Sequence, residues 1–144
     1  MPTPLVSKAS AVWRGSLLDG SGTVALDTSG AANLQVNWKA RAEEHQSGVT
    51  SPEELLGAAH AACYSMALSN VLAENGTPAS DISTGADVTF DVDKGITEVH
   101  LVTVARVEGL TAADFVAAAE RAKRECPVSR ALKGTNITLS ADLG

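Results

Sequence analysis

Two cysteines, Cys63 and Cys126, are the residues of this chain best suited to covalent chemistry. A thiolate is a strong nucleophile and a two-electron reductant. A free thiol in a reducing compartment is, by default, a small buried hydrophobe without a role. Context decides between the two, and the contexts differ. Cys63 sits mid-way through Gly57-Ala58-Ala59-His60-Ala61-Ala62-Cys63-Tyr64-Ser65-Met66-Ala67-Leu68, apolar on nearly every side. Burial raises a thiol pKa, so a working Cys63 needs a cation nearby. The positive end of its own helix is too far away. It lies about 11 residues back, roughly 16 Å at ~1.5 Å per residue, and the dipole effect fades within the first turn. A Lys or Arg must come from elsewhere. Cys126 stands beside Pro127 at the end of a helix, where the negative dipole end disfavours a thiolate. That place suits a resolving thiol, which needs reach more than a low pKa.

Three further residue types need weighing. His60, three residues before Cys63, could form a Cys–His hydrolase pair or contribute to a metal site. No acid partner and no ligand-type cysteine spacing accompany it, so a packed, hydrogen-bonded core histidine is the ordinary reading. Glu53 and Glu54 have an ordinary reading as acids in the first turn of a helix, and Arg41 as a solvated charge.

The elements that must position these groups follow from patterning. Ser51-Pro52-Glu53-Glu54 is a capping box with Pro at the first helical position, and the helix it opens should run to about Asn75, where Gly76 and Pro78 stop it. Apolar alternation predicts short strands near Ala9–Trp13, Thr23–Asp27 and Leu34–Trp38, the first two joined through Asp19-Gly20-Ser21-Gly22. Strands over Ala86–Asp93 and Ile96–Val107 make a hairpin through Asp93-Lys94-Gly95. A second helix, capped by Thr111, covers Ala112–Glu125 and ends where Pro127 cannot continue it. Ile137–Ala141 is a last strand. The order is βββ-α-ββ-α-β, an α+β class with helices on largely antiparallel sheet. At 144 residues the chain fits a single domain, 1–144.

Composition bounds the partners. A net charge of −6 repels phosphate backbones, so nucleic acid is not an expected ligand. No unbroken run of 18 apolar residues marks a membrane span, and Met1-Pro2-Thr3-Pro4 lacks the features of a signal peptide, so a cytoplasmic location is the expectation. Aromatics make up only 3% of the chain, leaving Ala, Val and Leu to fill the core. The Ala-rich helix is so uniformly apolar that close cover from another backbone is expected, either the second helix or a partner chain.

The segment Ser51–Leu68 resembles the OsmC/Ohr family, the osmotically inducible and organic-hydroperoxide-resistance proteins, and Cys126-Pro127-Val128-Ser129 is a second match. His60 and Val128 look like the OsmC branch. The resemblance implies a thiol peroxidase that works as an intertwined homodimer. In that reading Cys63 attacks an organic hydroperoxide, Cys126 resolves the product as a disulfide, and an external dithiol restores both thiols. Glu53 would orient a catalytic arginine, with Arg41 as the match and Arg14 as its competitor. No metal or organic cofactor is implied. A non-catalytic binder of small molecules or lipids on the same fold would keep the apolar helix without needing a thiolate, and a Cys63–His60 hydrolase is a third reading.

Overall fold

The computed structural model describes residues 3–144, so Met1 and Pro2, on which part of the signal-peptide reading rests, lie outside it. The chain divides into two compact units, one ending at Pro52 and one covering Glu53–Gly144.

The first unit is a four-stranded sheet in the order β1-β2-β3-β4, with β1 (Ser10–Arg14), β2 (Ser21–Ala25), β3 (Asn33–Val36) and the two-residue β4 (Val49–Thr50). The first three pair antiparallel and β4 joins β3 in parallel. The expected third strand ends sooner than its alternation suggested. Asn37 breaks it, its side-chain Oδ1 accepting from the Ala40 N–H at 2.8 Å, and a short helix α1 (Trp38–Ala42) starts there. Trp38 is therefore helical, and Arg41 belongs to an element the pattern did not reveal.

All of α2 (Pro52–Glu74) but its first residue belongs to the second unit, and the helix lies within a residue of its expected bounds at each end. Its buried positions are Glu53, Gly57, His60, Tyr64, Leu68, Val71 and Leu72, a three-four spacing that defines one inward stripe. The hairpin β5 (Ala79–Asp91) and β6 (Gly95–Val107) is longer at its start than expected, and Gly95 makes its turn with φ +87°. On β6, Val99, Leu101, Thr103 and Ala105 are all fully buried, the alternation a half-buried strand requires. Helix α3 (Ala112–Glu125) has the expected bounds and the expected cap, Thr111 accepting from Asp114 N–H at 3.1 Å.

The chain then does something the sequence pattern concealed. Pro127 ends α3 but also starts a second helix, α4 (Pro127–Ala131), before β7 (Asn136–Leu143). Proline is well suited to a first helical position because its missing N–H is not needed there. The α3–α4 crossover returns the chain so that β7 pairs with β6 in parallel, giving the sheet order β5-β6-β7. Both sheets are thus mixed, each with one parallel join, within the α+β class.

The core of this unit is built from Tyr64, Leu68, Val71 and Leu72 of α2, Val99, Leu101 and Ala105 of β6, Phe115 and three alanines of α3, and Cys126. Gly57 lets α2 approach β5 closely, since a Cβ there would stand 3.2 Å from the Ala86 carbonyl oxygen. Length and composition alone would let α2 cross a membrane. Its buried stripe and polar ties instead make it the core helix of this unit. Tyr64 donates its hydroxyl to the Ala119 carbonyl at 2.9 Å, and Ser65 Oγ bonds Thr84 Oγ1 at 2.8 Å.

Candidate functional site

Cys63 and Cys126, 63 residues apart in sequence, are brought together with their sulfurs at 3.3 Å in hydrogen-bond contact. Both are free thiols. They meet because α2 packs against α3 and α4, with the Tyr64 hydroxyl on the Ala119 carbonyl and His60 against Ser129. Cys126 is the joint itself. Its N–H bonds the Ala122 carbonyl as the last link of α3, and its own carbonyl accepts from Arg130 N–H at 3.0 Å as the first link of α4. With both main-chain groups used and no side-chain cap made, its sulfur is left to face α2. The helix-end position expected for Cys126 is therefore only half of its setting, because it also stands at a helix start, where the dipole has the opposite sign.

The two sulfurs are unequally exposed. Cys126 is completely buried, whereas Cys63 retains partial access to solvent. Burial pushes the Cys63 thiol above its ordinary range. A hydrogen bond from the Val128 main-chain N–H, in the first turn of α4, pulls it back, and the neighbouring Cys126 adds to the rise. The Val128 N–H was not foreseen. Pro127 at a helix start was the available signal, and it was read only as a stop.

His60 is fully buried and its Nε2 lies 2.7 Å from Ser129 Oγ on α4, not on Cys63. Burial holds it below the ordinary histidine pKa, so the ring is neutral at pH 7, and its Nδ1 has no hydrogen-bond partner among the described residues. That arrangement is the core histidine of the ordinary reading, and it leaves the Cys–His hydrolase without its essential contact. Ser129, 6% exposed, was quoted only as part of a motif and has a definite structural partner here.

Glu53 is in the first turn of α2, where the helix dipole favours an acid, and it is only 6% exposed. It precedes Cys63 by ten residues on one continuous helix, about 15 Å along the axis at ~1.5 Å per residue. Its carboxylate cannot reach the Cys63 of its own chain. Arg41, half-buried on α1, and Arg14, exposed at the end of β1, both belong to the first unit.

With this geometry in view, the comparisons with known proteins are specific. The OsmC-like protein family matches residues 44–140, which contain both cysteines. Peroxiredoxin OsmC of Escherichia coli (strain K12) is 45% identical over 139 residues, covering 94% of this chain and 95% of that protein. Among solved structures, an OsmC-like protein from Mycoplasma pneumoniae superposes with a TM-score of 0.73 at 16% identity, covering 98% of this chain and 99% of that one. An organic hydroperoxide resistance protein from Elizabethkingia anophelis gives a TM-score of 0.69 at 23% identity, with 99% of each chain covered. At such identities the structural likeness speaks for the fold, and the sequence likeness for the lineage. The family match and the sequence likeness settle the lineage: the chain belongs to the OsmC family, in its OsmC branch.

Proposed function

We propose that this protein is a cysteine-based peroxidase that reduces organic hydroperoxides to alcohols. One observation carries the reading: an accessible thiol in mid-helix stands 3.3 Å from a buried second thiol, with a main-chain N–H aimed at the first. The E. coli relative is named a peroxiredoxin, which supports the same chemistry. In the first step the Cys63 thiolate attacks one oxygen of ROOH. The O–O bond breaks, the alkoxide takes up a proton and leaves as ROH, and Cys63 becomes a sulfenic acid. In the second, the Cys126 sulfur displaces that hydroxyl as water, and a Cys63–Cys126 disulfide forms. In the third, an external dithiol is oxidised and the two thiols are restored. The sulfur carries both electrons, so the cycle needs no metal or organic cofactor.

Glu53 and Arg41 complete the site in this proposal, the arginine stabilising the thiolate and the acid orienting the arginine. The 15 Å argument requires that Glu53 serve a different Cys63 from its own, so the working unit is an intertwined homodimer. Two-fold symmetry would set the start of one α2 near the middle of its mate and make two equivalent composite sites. The outward face of α2 supports this: Ala58, Ala59, Ala62 and Met66 are exposed, Met66 by 73%. So does β1, the edge strand of the first sheet, exposed along its whole length with Val12 and Trp13 on it.

Mass spectrometry after one equivalent of an organic hydroperoxide tests the reading. A Cys63–Cys126 disulfide is the expected product. An unmodified pair would leave the fold with a binding role instead.

A further inference from the structure

The contact between α2 and α4 has two rungs. Cys63 meets Cys126 at 3.3 Å, and one turn away on each helix His60 meets Ser129 at 2.7 Å. The spacing is antiparallel: three residues back on α2 is three residues forward on α4. Between the rungs, Val128 N–H reaches Cys63. Helix α4 is only five residues long, too short to hold its own position. Its place against α2 must therefore be fixed by side-chain contacts, and His60–Ser129 is a buried, short one. A neutral imidazole suits this task, since it meets a hydroxyl without bringing a charge into the core.

We propose that His60 and Ser129 are positioning residues for the resolving step: their hydrogen bond holds the first turn of α4 against α2, so that the Cys126 sulfur stays within reach of oxidised Cys63. The inference rests on the peroxidase reading above. It concerns a competition at the Cys63 sulfenic acid. Attack by Cys126 expels water and forms the disulfide. A second ROOH instead adds an oxygen, leaves as ROH and produces a sulfinic acid that is lost to the cycle. The first route depends on the placement of Cys126, the second only on peroxide concentration. A displacement of about 1 Å can slow a positioned reaction as much as a hundredfold. Loosening α4 should therefore shift the outcome toward overoxidation, and by more than the weakened Val128 N–H contact slows the first peroxide attack.

The experiment is a titration of the full-length protein with a fixed excess of an alkyl hydroperoxide, scored by mass spectrometry for disulfide and sulfinic acid. Stopped-flow consumption of the first equivalent is measured in parallel. Ser129→Ala and His60→Leu should raise the sulfinic-to-disulfide ratio at least about tenfold, with the first-equivalent rate altered by less than about threefold. Ser129→Thr and His60→Gln, which keep a hydroxyl and a side-chain N–H, should restore much of the wild-type ratio. Should His60→Leu fail to fold, the Ser129 pair carries the test alone. An unchanged ratio in Ser129→Ala, or an equal loss of both steps, overturns the positioning role. If wild-type protein forms no Cys63–Cys126 disulfide, the peroxidase reading itself falls, a different result from either.

Discussion

Cys63 and Cys126 carry the same side chain in opposite kinds of setting. Cys63 is in mid-helix, with its main chain committed to α2, and its sulfur is tuned by a group from another element, the Val128 N–H. Cys126 is at a break between helices, fully buried, and its neighbours in sequence contribute both the break and the returning helix. One thiol is placed to be reached and the other to be held. The difference supports the proposed roles: partial access suits a thiol that meets peroxide, and a fixed buried position suits a thiol that waits for it.

The most severe way to break this asymmetry is to remove either sulfur. Cys63→Ser should lose hydroperoxide turnover by about a thousandfold or more, since a serine hydroxyl is not ionised at neutral pH. Cys126→Ser should consume about one equivalent and then stall as sulfenic or sulfinic acid. Steady-state consumption and whole-protein mass separate the two. Full turnover by Cys63→Ser would reverse the roles.

The next effect concerns the cation that the proposed site requires at Cys63. Burial raises its thiol pKa, so the reactive thiolate increases with pH. Arg41→Ala or Glu53→Ala should reduce turnover near pH 7 by about a hundredfold, in the range of a lost electrostatic stabiliser. Arg41→Ala should recover part of its rate as pH is raised. Mixing Cys63→Ser subunits with Glu53→Ala subunits under exchange should restore activity through one intact composite site. Demonstrated exchange without recovery would place Glu53 outside the site.

Much of this was legible in the sequence. The capping box and Gly76-Thr77-Pro78 bracketed α2 to within a residue at each end, and Thr111 fixed the start of α3, because long periodic helices announce themselves. The five-residue helices α1 and α4 show no period to read. Their start signals are Asn37, which falls inside the strand expected over Leu34–Trp38, and Pro127, which by itself marks only a helix end. The buried partner of His60 was unreadable for another reason: Ser129 is 69 residues away, and only the packed fold brings them together.

A smaller effect concerns substrate choice. The setting of Cys63 is rich in Ala, Leu and Met, so kcat/KM should be about ten- to a hundredfold higher for a bulky alkyl hydroperoxide than for hydrogen peroxide. Steady-state kinetics with a dithiol reductant decides it, and equal values would mean a small or polar pocket.

The smallest effect is on stability. The folded pKa of His60 is depressed, so its neutral ring contributes stability that is fully present above the unfolded value of about 6.5 and is lost as pH falls below it. Wild-type protein should lose more stability than His60→Gln between pH 7.5 and 5.5 in urea unfolding. Parallel losses in the two proteins would mean that His60 titrates normally.

The joint at Cys126 also has a thermodynamic consequence. A bond from it to Cys63 would close a loop of 63 residues, and restricting the unfolded chain to that extent is worth about 4 kcal/mol at 25 °C on the chain-entropy picture. Each turn of the cycle would then alternate between a stapled protein and an unstapled one. The state that has just destroyed a peroxide would be the harder to unfold, and the dithiol that readies the protein for another would loosen it.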